Sequence, residues 1–530
     1  MKKTFIVFFL SFFCFFSCKQ EAEPLEEETT ENTTQTEPSN EIPTTEVENT
    51  SAPTIKSTSS LQNLIIKTGE EFSTVTFNLE AEPSSDNQTI NYQWYEGLPE
   101  NGKIIRDANT NTFTPSKITT KGIYNYYCKI TGSIPDNGDG GVKSAENICK
   151  FSAAYTGLPT VIINTKDNEE ITSKEDWMKK TYFSITGAEN EDYNFEDKKV
   201  SIRGRGNASW GCAKKPYALK FNKETPHEIL GMPSHTRWVL IANYLDNSFM
   251  RNEMAFYLSE QLGMDYTVHG KFVDLVLNGE YKGLYWLGEA IKIDENRVNI
   301  SEEDDYLIEI DVYYDETWKF KTAIKNLPYM IQNDDYMTPQ KLARLNININ
   351  ALELLLYPDF ADETQSEYLP PDESYREIID IESWAKFYLV NEIMDNGELG
   401  HPKSSYFTYD GTNNIFKAGP VWDFDWASLA EHNTCILTNT IYYDALFKSS
   451  SFIQKLKEIM SEKVSVIDIN SKIEELRSQI SIAANYDAEL WGVNHNPTGL
   501  YFEDFDGHVD FLKETLNNKL EVVKETAESL

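Results

Sequence analysis

Two acidic residues in the last quarter of the chain have the spacing of a metal-binding pair. Asp423 and Asp425 lie two residues apart in the apolar run 421–426, which follows the break Gly419-Pro420. On a strand their carboxylates would share one face, because side chains alternate with period two. Buried acids repel each other, and a hard divalent cation such as Mg²⁺ removes that repulsion. The spacing is also compatible with a strand end that carries two solvated acids.

A second segment has the opposite charge. Between residues 201 and 223 there are six basic residues and no acidic one, although the chain has 85 acidic and 48 basic residues. Gly204 and Gly206 allow the backbone to approach a ligand closely, and Lys220 lies on an alternating strand. These features favour binding of a polyphosphate. The alternative is a hairpin whose basic residues pair with surrounding acids.

Length and charge limit the class of protein. The chain has 530 residues, enough for two or three domains, and a formal net charge of -37. Sequence-independent binding to nucleic acid depends on neutralising phosphates with basic side chains. Such a strongly acidic chain is therefore predicted not to have nucleic acid as a partner.

The N-terminus predicts export. Residues 1–18 have two lysines, a short phenylalanine-rich apolar run and then Ser17-Cys18, the pattern of a signal peptide. The small residue before the cysteine resembles a bacterial lipobox, which would make Cys18 a lipidated first residue. Residues 19–58 are rich in Glu, Thr, Pro and Ser, which predicts a disordered linker. We expect a membrane-anchored lipoprotein at the cell surface or in the periplasm; the alternative is an ordinary secreted protein.

Residues 59–156 predict a small all-β sandwich, because short alternating runs are separated by turn residues. A Tyr-x-Trp strand followed by Gly-x-Tyr-x-Tyr-x-Cys resembles an immunoglobulin-like domain. Cys128 has no partner on the early strand, and Cys149 is the nearest candidate for a disulfide, which an exported compartment permits. Such a domain would act as a spacer or a binding module.

Residues 157–530 predict one large α+β domain with a β-rich front half and a helical back half. Strand-like runs occur near residues 161, 200, 217 and 238, and from 272 to 286. Helical periodicity follows at residues 252–262, 381–394 and after 452. Asn278-Gly279 is a strong hairpin signal. Residues 328–379 are interpreted as a partly helical insertion.

Six motifs of this domain occur in an order that resembles the CotH kinases, the spore-coat-protein-H family. They are residues 202–207 (IRGRGN), 215–220 (KPYALK), 238–240 (WVL), 277–285 (LNGEYKGLY), 309–311 (EID) and 419–425 (GPVWDFD). The resemblance extends from about residue 158 to near the C-terminus. It implies an atypical protein-kinase-like fold that uses ATP and Mg²⁺ to transfer a phosphoryl group to Ser or Thr of a protein substrate.

The resemblance also implies roles for individual residues. Asp423 matches the metal-binding and catalytic acid, with Asp425 as a second metal ligand. Lys220, or alternatively Lys215, would pair with the ATP phosphates. Further candidates for nucleotide binding are Arg203, Arg251 and Glu289.

Two departures from the family pattern keep a second hypothesis open. Glu398 stands where the family often has a catalytic Asp, with Asp395 as the alternative acid. Ser404 or Ser405 replaces an Asn that is often found there. Lys403 could replace a second metal charge or reflect lost catalysis. The alternatives to a kinase are therefore an inactive kinase-like surface binding protein and an adhesin that acts through the immunoglobulin-like domain.

Two further cysteines flank the proposed site. Cys212 follows the basic loop and Cys435 follows the acidic motif. A disulfide between them would join the two halves of the site, and the alternative is two buried free thiols.

Overall fold

The structure is a computed structural model that describes residues 46–333, 335–360, 369–496 and 499–530. The predicted signal peptide, Cys18 and the linker up to residue 45 lie outside the described residues. Within the described ranges, no helix combines the length and apolar character needed to cross a membrane.

Ten strands form the N-terminal part. They are β1 Thr54–Thr58, β2 Gln62–Leu64, β3 Lys67–Thr68, β4 Glu71–Phe72, β5 Phe77–Glu82, β6 Thr89–Glu96, β7 Lys103–Ile104, β8 Thr112–Phe113, β9 Gly122–Ser133 and β10 Ser144–Tyr155. One sheet has the order β1-β5-β8 and another has the order β2-β10-β9-β6-β7. Phe77, Trp94 and Phe151 are fully or almost fully buried in one core. Regular structure begins earlier in the chain than predicted. β1 lies within residues 19–58, the predicted disordered linker, and its backbone pairs with that of β5.

Seven further strands close into a barrel in the order β11-β12-β13-β14-β17-β19-β18. Neighbours are antiparallel except for the parallel pair β11 and β18. A small hairpin, β15 and β16, and a short helix, α1, lie in the connections. The bounds are β11 Thr160–Asn164, β12 Met178–Thr186, β13 Phe195–Gly204, α1 Ala208–Gly211, β14 Tyr217–Lys220, β15 His227–Ile229, β16 Met232–His235, β17 Arg237–Ile241, β18 Gly270–Leu277 and β19 Glu280–Glu289.

Strand alternation fills the barrel with apolar side chains. Ile202 on β13, Leu219 on β14, and Trp238 and Leu240 on β17 are buried in one cluster, so the residues between them point to the outer face. β18 and β19 form the hairpin predicted from Asn278-Gly279. The outer face of β17 also contributes Val239 to the main core beside the barrel.

After the barrel, five strands form a sheet that we call the second sheet. Its order is β21-β22-β20-β23-β24, and it is antiparallel throughout. Its strands are β20 Tyr306–Ile310, β21 Lys319–Lys321, β22 Pro328–Ile331, β23 Ser405–Asp410 and β24 Ile415–Ala418. The interpretation of residues 328–379 as an insertion is therefore wrong at its start. Residues 328–331 are all buried and form a strand that pairs with β20.

Helices cover this sheet and form most of the back half. They are α2 Arg251–Leu262, α3 Pro339–Leu356, α4 Ile381–Ile393, α5 Tyr443–Leu446, α6 Ser450–Glu462, α7 Ile469–Trp491 and α8 Phe505–Ser529. α4 is buried along almost its whole length, and Asp380 caps it by accepting a hydrogen bond from Ser383 N at 3.0 Å. The predicted α+β class, with strands in front and helices behind, is confirmed. The C-terminal end of α4 leads directly to the turn that carries Glu398.

Candidate active site

The candidate site is a cavity of about 410 Å³ between one end of the barrel and the second sheet. Five segments contribute most of its lining: the loop after β13, the segment after β17, the end of β20 with the loop that follows, the turn after α4, and the loop after β24. Acids outnumber bases among its charged side chains, which are Glu309, Asp311, Asp315, Glu316, Glu398, Asp423, Asp425, Arg205, Lys214 and Lys403.

The loop after β24 presents both Asp423 and Asp425 to the cavity, although it does not form the expected strand. Val421 and Phe424 are buried in the main core on either side of Asp423 and anchor the loop. Asp423 has a φ of +68°, a left-handed conformation that is uncommon for a residue with a side chain. A loop held by its apolar neighbours therefore brings the two carboxylates together by a route other than strand alternation.

Polar contacts fix the same loop from two sides. Asn252 on α2 accepts a hydrogen bond from Phe424 N through its Oδ1 at 2.8 Å. Ser404 donates its hydroxyl to Asp423 Oδ2 at 3.2 Å. Contacts within the protein thus fix the position of Asp423, as a metal-binding or catalytic side chain requires.

The two acids repel each other strongly. Burial raises the pKa of Asp425 well above its usual range, and the charges of Asp423 and Asp246 raise it further, while Arg205 opposes them. A divalent cation between the two carboxylates would remove this penalty. In the described ranges, no group of three or more His, Cys, Asp and Glu side chains has metal-binding geometry. Asp423 and Asp425 are side chains of the cavity that could hold a hard divalent cation through their carboxylate oxygens.

Glu398 lies on the 3₁₀ turn Gly397–Gly400, which follows α4. Asn396 positions this turn, because its Oδ1 accepts a hydrogen bond from Glu398 N at 3.2 Å. The pKa of Glu398 is raised to about 7, chiefly by burial and then by the charge of Asp423, while Lys403 lowers it. A carboxylate with a pKa near neutral is suited to accept a proton from a substrate hydroxyl.

Asp395, the alternative acid, does not line the cavity. Its carboxylate accepts a hydrogen bond from Lys519 Nζ at 2.7 Å and lies 2.9 Å from His432 Nδ1. It also accepts a hydrogen bond from Ala430 N at 3.0 Å. Because these structural partners occupy both of its oxygens, Glu398 is the acid that the segment after α4 brings to the cavity.

Ser404, rather than Ser405, stands beside the acidic pair. Besides its bond to Asp423, Ser404 donates its backbone N–H to Asp311 Oδ2 at 3.0 Å. Ser405 instead donates its hydroxyl to Lys403 O at 3.0 Å. Of the two serines that replace the expected Asn, Ser404 is the one in position to act with Asp423.

Two further acids of the cavity, Glu309 and Asp311, were not predicted as site residues. They lie at the end of β20, where Ile310 points into the core between them. Burial raises the pKa of Glu309 to about 8, with Asp311 as the next contribution and a hydrogen bond to Tyr406 opposing it. Their spacing of two residues repeats that of Asp423 and Asp425, and this signal could have identified them.

The connection between β13 and β14 contributes two basic residues to the cavity, Arg205 and Lys214. Neither was a predicted site residue. Arg205 lies over Trp422, with its guanidinium carbon 5.4 Å from the ring centroid. Burial lowers the pKa of Arg205, and the negative charges of Asp423 and Asp425 oppose that shift. Lys214 is buried and forms an ion pair with Asp487 of α7 at 2.5 Å. Of these two cations, Arg205 is therefore the one whose charge faces the acidic pair.

Three predicted phosphate ligands lie elsewhere. Arg203 and Lys220 are on the outer face of the barrel, because the alternate residues of β13 and β14 fill its interior. Lys215 donates to Trp210 O at 2.8 Å. None of the three lines the cavity.

Arg251 and Glu289 also stay outside the cavity and have structural partners. Arg251 Nη1 donates to Ser428 O at 2.7 Å, which ties α2 to the loop that follows the acidic pair. Glu289 is fully buried, accepts a hydrogen bond from Tyr266 at 2.8 Å and lies 3.8 Å from Arg297 Nε. Arg251 supports the loop of the site, and Glu289 belongs to a separate buried network.

In the structure, the four cysteines of the two predicted disulfides are free thiols. Cys128 and Cys149 face each other across β9 and β10, but both pack into the N-terminal core as apolar side chains. Cys212 lies near Lys215 and Asp425, whereas Cys435 lies near Glu392 and packs on the main core. The hydrogen bonds and apolar contacts described above therefore hold the two halves of the site together.

Comparison with known proteins gives one result that agrees with this geometry. A family model described as CotH kinase protein matches residues 202–523, from the last residues of β13 to a point within α8. A search of curated proteins returned no match. The matched range contains every charged side chain of the cavity. This chain belongs to the CotH kinase family.

Proposed function

We propose that this protein is an exported kinase that transfers the γ-phosphoryl group of ATP to a Ser or Thr hydroxyl of a protein, with Mg²⁺ as cofactor. The observation that carries the proposal is the convergence of Glu398, Asp423 and Asp425 with Arg205 on one cavity. The signal-peptide pattern and Cys18 favour a lipid-anchored protein outside the cytoplasm.

The charge of the cavity explains why a divalent cation belongs to the proposal. Acids outnumber bases around it, and Lys214 is already paired with Asp487. A nucleotide triphosphate would meet net repulsion there unless cations came with it. Asp423 and Asp425 would hold Mg²⁺, which would supply charge neutralisation of the phosphates.

Three residues of the chain would have separate roles in the transfer. Glu398 orients the substrate hydroxyl and accepts its proton as the oxygen attacks the γ-phosphorus. The bond between that phosphorus and the β–γ bridging oxygen breaks, and ADP leaves with the electron pair. Arg205 stabilises negative charge on the phosphates. Ser404 keeps Asp423 oriented through its hydrogen bond.

The test is transfer of labelled phosphate from γ-labelled ATP to the protein itself or to a general protein substrate. Asp423→Asn keeps the size of the side chain and removes the charge that holds the metal. We expect it to lower transfer by at least about 100-fold, a typical loss for a group that acts on the transition state. Asp192→Asn, at an exposed acid of the barrel domain, is the matched control and should retain activity.

The excess of acid in the cavity and the pairing of Lys214 favour one alternative, a kinase-like protein that binds a metal–nucleotide complex without transferring phosphate. In that case the wild type would bind ATP with Mg²⁺ in calorimetry and show no transfer at any pH. That pair of results would refute the proposed transfer and leave the binding function.

A further inference from the structure

The outer face of the barrel carries a basic cluster that the cavity does not use. It consists of Arg203 on β13, Lys220 on β14 and Arg237 on β17, grouped around the Trp177 ring. The charged groups lie 4.7, 5.8 and 5.2 Å from the centroid of that ring, respectively. Backbone pairing brings them together, since Lys220 pairs with Arg237 and β13 lies on the other side of β14.

These cations have no acidic partner. Among the described residues, none of the three forms an ion pair, although acids outnumber bases in the chain by 85 to 48. The charges of Arg237, Lys223 and Arg203 help to lower the pKa of Lys220, as expected where cations repel one another. A protein with this composition could easily have neutralised the cluster, so its unpaired charge indicates an anionic ligand.

The hydrogen bonds around the cluster leave donors available. Arg203 Nη1 donates to Glu175 O at 3.1 Å, a neutral acceptor, and its buried Nε has no hydrogen-bond partner in the described part of the chain. The nearest acidic side chain in sequence to Trp177, Asp176, accepts a hydrogen bond from Ser173 at 3.4 Å. Among the described residues, Arg203 Nη2, the Arg237 guanidinium and the Lys220 ammonium group therefore remain for a ligand.

The chemistry of the cluster favours a phosphoryl group over a single carboxylate. Arginine binds phosphate through two parallel hydrogen bonds, and a phosphate ester carries up to two negative charges, which offset the repulsion among three cations better than one charge does. The cluster also lies close to the cavity, because Arg203 is two residues before Arg205 and a strand rises about 3.3 Å per residue. One extended peptide could reach both sites.

We propose that Arg203, Lys220 and Arg237 around Trp177 form a binding site for a phosphorylated Ser or Thr of a peptide. Such a site would keep a partly phosphorylated protein next to the cavity for further transfer. The choice of a phosphopeptide as ligand rests on the proposed kinase function, but binding at this site requires neither ATP nor catalysis.

The test measures binding without nucleotide, by calorimetry, of one peptide that carries a single phosphoserine and of the same peptide without the phosphate. We expect the phosphopeptide to bind at least about 10-fold more tightly, and Arg203→Gln with Arg237→Gln to remove that preference, because each charge-assisted hydrogen bond is worth about tenfold or more. Lys199→Gln, on the same strand and exposed, removes one charge outside the cluster and should leave binding unchanged. Lys220→Gln gives a milder variant, and thermal unfolding identifies any variant that fails to fold.

Several outcomes would overturn the proposal. Equal binding of the two peptides, or full binding by folded Arg203→Gln with Arg237→Gln, would exclude a phosphoryl site here. Binding to vesicles of anionic lipid without binding to the phosphopeptide would assign the cluster to a membrane surface instead. Loss of transfer in Asp423→Asn with intact phosphopeptide binding would separate this site from the catalytic one, whereas absence of transfer by the wild type would refute only the proposed function.

Discussion

Lys403 offers the sharpest test of Glu398 as the proton acceptor. Its charge lowers the pKa of Glu398, against the raising effects of burial and of Asp423. Its ammonium group lies 5.4 Å from the centroid of the Tyr313 ring at the edge of the cavity. Lys403→Met keeps a long apolar side chain against that ring and removes the charge.

The size of the expected effect follows from electrostatics. A unit charge acting across a partly hydrated cavity contributes about 1 kcal/mol, which corresponds to roughly 0.7 pH unit. Glu398 has a pKa of about 7 in the wild type. Because only the ionised carboxylate can accept a proton, activity falls as the pH falls through this pKa. In Lys403→Met the fall should occur at a higher pH. When each activity is expressed as a fraction of its own plateau at high pH, the variant at pH 6.5 should be about fourfold less active than the wild type.

The assay is the initial rate of phosphate transfer at limiting substrate between pH 5.5 and 9, which gives kcat/KM and so reports the free enzyme. Lys199→Met, at an exposed lysine of β13, controls for the change in net charge and should leave the profile unchanged. An acid limb that stays in place in Lys403→Met, or moves to lower pH, would refute the assignment of Glu398 to the limb.

Two further predictions concern the support of the site and its phosphate contact. Lys519→Met on α8 should destabilise the protein by about 3–5 kcal/mol in chemical unfolding, because it leaves the buried carboxylates of Glu392 and Asp395 without their cation at 2.8 and 2.7 Å; a change below about 1 kcal/mol would contradict this role. Arg205→Gln should weaken binding of ATP with Mg²⁺ by about 10-fold or more in calorimetry, while Lys220→Gln should leave it unchanged. The reverse result would place the nucleotide on the outer face of the barrel.

Local sequence signals predicted most of the elements correctly. Asn278-Gly279 fixed a hairpin because its backbone conformation suits a two-residue turn, and both residues have positive φ angles here. The helical pattern of residues 381–394 corresponds to α4, whose capping residue Asp380 directly precedes it. These features depend on neighbours in the chain, so the sequence contains the information that determines them.

Long-range pairing explains what sequence reasoning missed. Residues 328–331 form a strand because they pair with β20, and β20 also pairs with β23, about 100 residues further along the chain. That pairing brings Glu309 and Asp311 to the cavity that Asp423 also lines. No local pattern states which distant strand will be the neighbour, so these two acids could be suspected from their spacing but not placed in the cavity.

The basic hairpin shows how alternation divides one motif between two surfaces. Tyr217 and Leu219 fill the barrel, so Lys220 must point outward from β14, and Arg203 must do the same from β13 because Ile202 points inward. Strand alternation does not determine the direction of Arg205, because β13 ends at Gly204. Its side chain lines the cavity together with the acidic pair. The local excess of positive charge therefore has two parts. The loop supplies Arg205 to the cavity, and the strands supply the unpaired cluster around Trp177. A charge count over residues 201–223 contains no information on this division, so it could not show that Lys220 lies on the outer face of the barrel.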